Sequence, residues 1–218
     1  MKINRKFKAV LFDMDGILVD SMPYHFISWF EVLRKYGVRV TPMDIFEMEG
    51  AKWDKVIKFA FKREGKNLDN AVILKIQSER NILLKKYFKR YNFSEIPAIL
   101  KTLKAKGFLT AIVTGSSSIE AKKMLPKEIR VYFDALVAGD MVKRSKPYPD
   151  PYLLAAKKLK VKPSECFAVE NAPYGIKSAK AAKMYCTAIS TSLPKIYLHE
   201  ADIIFNDHKD FCHFLRKM

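Results

Sequence analysis

The chain has 218 residues, with 40 Lys and Arg against 23 Asp and Glu, for a formal net charge of +17. Hydrophobic residues make up 49% and aromatics 12%, enough to bury a core, which excludes wholesale disorder. The length fits one domain, or one domain carrying an inserted module. Cys166, Cys186 and Cys212 show no CxxC spacing, which argues against a disulfide scaffold or a zinc site. No apolar run approaches the ~18 residues of a membrane span. The basic start is followed only by the apolar run 9–12 before Asp13 interrupts, too short for a secretory leader. The expectation is a soluble, cytoplasmic protein without a membrane partner. The lysines are scattered along the whole chain, with no zinc-finger spacing and no aromatic-basic RNA motif. Nucleic acid is therefore not the expected partner, and a monomer is the default. The positive charge suits solubility and the attraction of small anions.

Residues 8–12 form a short apolar run ending in Asp-Met-Asp-Gly and read as a buried strand entering a turn. Residues 21–90 hold almost no strand-like run. Thr41-Pro42-Met43-Asp44 reads as a helix start, and 70–91 as a long helix with Ile73, Ile76, Leu83, Leu84 and Tyr87 at roughly helical spacing. From there helices expected at 96–106, 151–159 and 174–183 alternate with strands at 108–113, 135–138 and 166–169, and weaker strands at 187–189 and 203–205. Such alternation implies an α/β fold, a Rossmann-like parallel sheet with helices on both faces. The predicted division is a core of 1–20 and 91–218 with an inserted α-helical cap at 21–90.

In an open parallel sheet, ligands bind beyond the carboxyl ends of the strands. Those ends carry Asp13 and Asp15, Thr114-Gly115-Ser116, Lys146 shortly after the third strand, and Glu170-Asn171. Clustered oxygen ligands suit Mg²⁺, while the hydroxyl, backbone N–H groups and ammonium suit a phosphate. Each has a plainer reading. The two aspartates could form an Asx-type turn, Thr114 could end a strand, Lys146 is one lysine among many, and Glu170 could stabilise a helix N-terminus.

Four segments in order carry a family resemblance. Asp13-Met14-Asp15-Gly16-Ile17-Leu18-Val19-Asp20-Ser21, Thr114-Gly115-Ser116, Gly139-Asp140 with Lys146-Pro147, and Glu170-Asn171 resemble the successive motifs of the haloacid dehalogenase-like (HAD) phosphatases. The helical insert after the first motif is similar to that of the β-phosphoglucomutase-like subgroup. This resemblance implies a phosphatase acting on a small phosphorylated metabolite, a sugar phosphate foremost. It implies Asp13 as nucleophile, Asp15 as general acid and base, and Thr114, Gly115, Ser116 and Lys146 around the phosphate. It further implies Mg²⁺ held by Asp13, the Asp15 carbonyl, Glu170 and Asn171. Many relatives carry Asp in place of Asn171, so the neutral amide puts the strength of metal binding in question.

Asp15 and Glu170 argue against dehalogenation, which needs neither. Within the cap, His25 and Lys52 are candidate substrate residues. His25 could equally pack in its helix near Trp29. Glu49-Gly50-Ala51-Lys52-Trp53 resembles the cap's substrate-specificity loop; the mutases of the subgroup place an arginine nearby to grip a second phosphate, and none occurs in this stretch. The phosphatase reading is therefore preferred, with a β-phosphoglucomutase-type reaction and a catalytically idle polyanion binder as alternatives. Relatives also place a glycine after the fourth motif's helix where Lys183 stands, which suggests a different or strained turn.

Overall fold

The computed structural model describes residues 7–217. Six strands, β1 Ala9–Phe12, β2 Leu109–Val113, β3 Ala135–Val137, β4 Cys166–Glu170, β5 Tyr185–Ile189 and β6 Ile203–Phe205, form one sheet in the order β3-β2-β1-β4-β5-β6. Every pairing is parallel. Side chains alternate across β1 with period two. Val10 and Phe12 enter one apolar cluster with Ile112, Phe167 and Val169. Ala9 and Leu11 face a second cluster with Ala111, Val113 and Ala168. Both faces are thus covered, as an all-parallel sheet requires.

The first cluster lies under helices α5 Ile96–Ala105, α6 Ser118–Met124, α7 Lys127–Arg130 and α10 His208–Lys217. The second lies under α8 Asp150–Leu159 and α9 Pro173–Ala181. There Ala155, Ala156 and Ala179 meet the alanines of the sheet, so small side chains let helix and sheet backbones approach closely. The expected strands and helices of this α/β half all form. Glu170 extends β4 by one residue and β5 begins two residues before its expected start.

After Lys183 the turn is the ordinary one. Lys183 has φ 62°, in the left-handed region that favours glycine. Its N–H donates to Lys180 O (2.9 Å) and the Met184 N–H to Ala179 O (3.1 Å), a Schellman pair that satisfies the end of α9. The lysine therefore carries the strain that a glycine would avoid, and the turn keeps its geometry.

Between β1 and β2 the chain forms α1 Met22–Lys35, α2 Pro42–Phe46, α3 Trp53–Arg63 and α4 Asn70–Tyr87 around a third cluster containing Trp29, Val32, Leu33, Ile57, Phe61 and Ile76. The helix expected over 70–91 ends at Tyr87. α2 begins with the capping box read from the sequence: Thr41 Oγ1 accepts from Asp44 N, and Asp44 Oδ2 accepts from Thr41 N at 2.6 Å. The entry and exit of this helical block run side by side. Val19 bridges Asn92 antiparallel, and the Asp20 N–H donates to Tyr91 O at 2.9 Å.

Candidate active site

The strand order reverses around β1: β2 and β3 lie to one side, β4 to β6 to the other. The carboxyl ends of β1 and β4 therefore flank the crevice where such sheets bind ligands. Phe12 registers with Val169 and Ile112, so Asp13, the end of β2 and Glu170 come into line across the sheet edge. The Asp13 N–H continues the ladder to Val169 O at 2.9 Å.

Two networks meet at this edge. In the first, Lys146 Nζ donates to Asp13 Oδ1 (2.7 Å) and Glu170 Oε1 (2.6 Å), with the lysine only 2% exposed. Tyr152 from α8, fully buried, donates its hydroxyl to the same Glu170 Oε1 at 2.6 Å. Burial opposes the charge on Lys146, but Asp13 and Glu170 together hold its pKa above the ordinary value. Burial raises Asp13 well above its ordinary value; Lys146 works against this, while Glu170, Asp15 and Glu49 add to it. Burial also pushes the Tyr152 phenol well up, so it is a donor.

The second network is built on Asp15. Ser21 occupies the N-cap position of α1, yet its hydroxyl donates to Asp15 Oδ1 (2.5 Å) and does not cap the helix. His25, one turn into α1, lies with Nε2 3.1 Å from the same oxygen. Arg80 Nη2 from α4 lies 2.6 Å from His25 Nδ1. Arginine can only donate, so Nδ1 is the acceptor, and Nε2 carries the proton that it gives to Asp15. Burial raises the Asp15 carboxyl, but His25, the Ser21 hydroxyl and the Arg80 guanidinium outweigh it and hold the group below its ordinary value. Thr114 and Ser116 place their hydroxyls 3.5 Å from Asp15 Oδ2.

The cap loop presses on both networks. A Cβ at Gly115 would come within 3.1 Å of Gly50 Cα, and one at Gly50 within 2.6 Å of Lys146 Cδ. Only glycines permit this approach. Lys52 donates to Lys143 O at 3.0 Å, tying the same loop to the core. Between cap and core remains a cavity of about 680 Å³, lined by His25, Glu49, Lys52, Arg80, Gly115 and Ser116 among others. Asp13 and Asp15 do not line it; at 2% and 1% exposure they are sealed beneath the cap loop.

Asp13 Oδ2 and Asn171 Oδ1 are buried oxygens without a hydrogen-bond partner among the described residues. The Asn171 amide donates through Nδ2 to Ser192 Oγ (3.3 Å). No cluster of three or more His, Cys, Asp or Glu side chains among the described residues is placed to hold a metal. Two carboxylates and one amide oxygen are here instead, an all-oxygen donor set whose chemistry fits a hard divalent cation when main-chain oxygens complete it.

Every candidate residue read from the sequence thus lies at this edge or on the cap above it. Lys52 lines the cavity, but it is exposed and bonded to main chain. Sequence reasoning missed Arg80 and Tyr152, and gave no role of their own to Ser21 and Glu49, although both stand in segments that carry the family resemblance. A signal for Arg80 was available: the buried stripe of α4 runs Ile73, Ile76, Arg80, Leu84, with a charge at an apolar position.

A family model for haloacid dehalogenase-like hydrolases matches residues 10–189. The chain belongs to this family. Within the HAD-like hydrolases it falls in the β-phosphoglucomutase-like subgroup. It is 32% identical to fructose-1-phosphate phosphatase YqaB of Escherichia coli, over 82% of this chain and 94% of that one. It is 27% identical to β-phosphoglucomutase of Bacillus subtilis, over 93% of this chain and 91% of the relative. Among solved structures, β-phosphoglucomutase from Clostridium difficile superposes with a TM-score of 0.85 at 20% identity, covering 97% and 96% of the two chains, and so shares the fold. No helix among the described residues is long and apolar enough to cross a membrane.

Proposed function

We propose that this HAD-like hydrolase is a Mg²⁺-dependent phosphatase of small phosphorylated metabolites, sugar phosphates foremost, with the cap at 21–90 closing over a core of 1–20 and 91–218. The observation that carries this reading is the state of Asp13. One of its oxygens is held by Lys146 at 2.7 Å, and the other is buried without a partner at the sheet edge. Beside the Lys146 ammonium, which works against the burial that raises its pKa, an ionised Asp13 offers an oriented free oxygen, shielded from water, as the nucleophile for phosphorus.

In this reading Asp13 Oδ2 attacks the phosphoryl group, the ester oxygen leaves, and an aspartyl-phosphate forms. Asp15 gives the leaving oxygen its proton, then takes one from the water that releases phosphate. The ionised Asp15 favoured here suits the second step. A dianionic phosphate arriving beside it favours the protonated form needed for the first, because like charges raise a carboxyl pKa. Lys146, Thr114, Ser116 and the backbone N–H groups near Gly115 offset charge on the equatorial oxygens. Asp13, Glu170, Asn171 and the Asp15 carbonyl would hold Mg²⁺, whose charge offsets repulsion between carboxylate and phosphate. Because Asp13 and Asp15 are sealed beneath the cap loop, the cap must open to admit substrate.

The sequence similarity to a fructose-1-phosphate phosphatase supports this reading. It is tested by phosphate release from p-nitrophenyl phosphate and a sugar-phosphate panel with Mg²⁺ and with EDTA. Turnover that disappears with EDTA and returns with Mg²⁺ is expected. Undiminished turnover after metal removal contradicts it.

A further inference from the structure

The turn after β5 carries three hydroxyls in a row, Ser190, Thr191 and Ser192, none of which the proposed mechanism uses. Ser190 Oγ donates to Leu193 O at 2.6 Å and the Thr191 N–H to Ile189 O at 2.9 Å, which closes the turn. The β4–β5 register, with Glu170 beside Ala188, brings it to the edge where Asn171 follows Glu170. A chain of polar atoms then runs from one catalytic loop to the other. Thr191 Oγ1 lies 2.7 Å from Gly16 O and 3.5 Å from Ser192 Oγ, and Ser192 Oγ lies 3.3 Å from Asn171 Nδ2.

The direction of this chain follows from its far end. A carbonyl can only accept, so Thr191 gives its one hydroxyl proton to Gly16 O. Between the two hydroxyls Ser192 must then be the donor, and its remaining lone pair accepts from Asn171. Of the two amide atoms only nitrogen donates, so Nδ2 faces Ser192. Oδ1 is left as the buried atom without a partner among the described residues. Gly16 packs against the same nitrogen: a Cβ there would collide with Asn171 Nδ2 and stand 3.0 Å from Ser192 Oγ.

We propose that Ser192 is a positioning residue for the divalent cation: it holds the Asn171 amide with its oxygen, not its nitrogen, free to ligate. This rests on the Mg²⁺-dependent reading above and deepens it. An amide offers an acceptor at one end only; turned over, it would meet a cation with two donors. A carboxylate has two equivalent oxygens and no wrong end. Asn171 therefore depends on an orienting partner where an aspartate would not. Outer hydrogen bonds of this kind carry about 10–100-fold in metal affinity.

The test is a double-mutant cycle on metal affinity. Calorimetric titration of the metal-free protein with Mn²⁺ compares wild type, Ser192→Ala, Asn171→Asp and the double variant. Ser192→Ala is expected to weaken the Mn²⁺ Kd about tenfold with Asn at position 171, and by clearly less with Asp there. A serine that merely supports the turn would cost the same in both backgrounds. Equal losses, or no loss with Asn171 in place, overturn the proposal. Neutron diffraction from the metal-free wild type reads the amide directly: two deuterons on the atom facing Ser192 are expected, and an oxygen there overturns the proposal. If wild type binds no Mn²⁺, the metal-dependent reading fails and the proposal with it, whereas binding without the coupling overturns the proposal alone.

Discussion

Arg80 Nη2 lies 2.6 Å from His25 Nδ1, joining two cap helices directly above Asp15. The contact fixes which imidazole nitrogen carries the proton, so His25 can only donate to Asp15, at 3.1 Å. Arg80→Met keeps the side chain's bulk and loses both the donor and the charge. The Arg80 charge is one of the influences that lower the Asp15 pKa, and its loss moves the limb of the pH–rate profile that reports Asp15 to higher pH. The expected fall in kcat is about 10–100-fold, with a smaller change in KM. A pH–rate profile superposable on wild type would show that the contact has no bearing on Asp15.

Tyr152 restrains Glu170 from beneath. With Lys146 and the phenol both donating to Oε1, only Oε2 is left to turn toward a cation, and that oxygen also faces the Asn171 N–H at 3.2 Å. Tyr152→Phe preserves the ring and deletes one donor. Mg²⁺ or Mn²⁺ affinity, measured by calorimetric titration, should weaken about tenfold while the thermal midpoint changes little. Equal affinities would show that Lys146 alone orients the carboxylate.

Asn171→Asp tests the neutral amide. A third buried carboxylate beside Asp13 and Glu170 adds repulsion without a cation and a stronger ligand with one. The variant should lose on the order of 2 kcal/mol in EDTA and recover it with saturating Mg²⁺. Thermal melts under both conditions check this. A loss that Mg²⁺ does not restore would exclude residue 171 from the donor set.

Asp44 gives a stability test outside the site. Burial opposes its charge, but Arg63 and the Thr41 amide and hydroxyl hold the carboxyl below its ordinary value. A depressed folded pKa contributes stability that is present above the unfolded value, about 3.9, and disappears as pH falls through the lower folded one. Asp44→Asn should cost about 1 kcal/mol at neutral pH. The gap to wild type should persist down to about pH 4 and close below it. Denaturant melts across pH measure this, and a gap independent of pH would assign the loss to packing.

The pattern of what could be read from sequence follows from range. Asp13, Thr114 and Glu170 end apolar runs, and a parallel sheet brings strand ends together, so local pattern and one topological rule sufficed to gather them. The Arg80 stripe position was visible, but its target, 55 residues away, is set by how α4 packs on α1. Nothing local marks Tyr152 within its helix; its hydroxyl gains meaning only where α8 packs on β1, β2 and β3 and brings it to Glu170 at the end of β4. The Lys183 turn resisted because left-handed backbone in a lysine is rare, and neighbouring hydrogen bonds, not its own preference, impose it.

In the proposed mechanism Asp13 carries the phosphoryl group between substrate and water. Rapid acid quench of wild type and Asp13→Asn with radiolabelled sugar phosphate and Mg²⁺, followed by peptide mapping, tests it most directly. Acid-stable, hydroxylamine-labile label on the peptide containing Asp13 in wild type, with no label and no turnover in Asp13→Asn, is the expected result. Turnover at the wild-type rate in Asp13→Asn, or label confined to another residue, would contradict it.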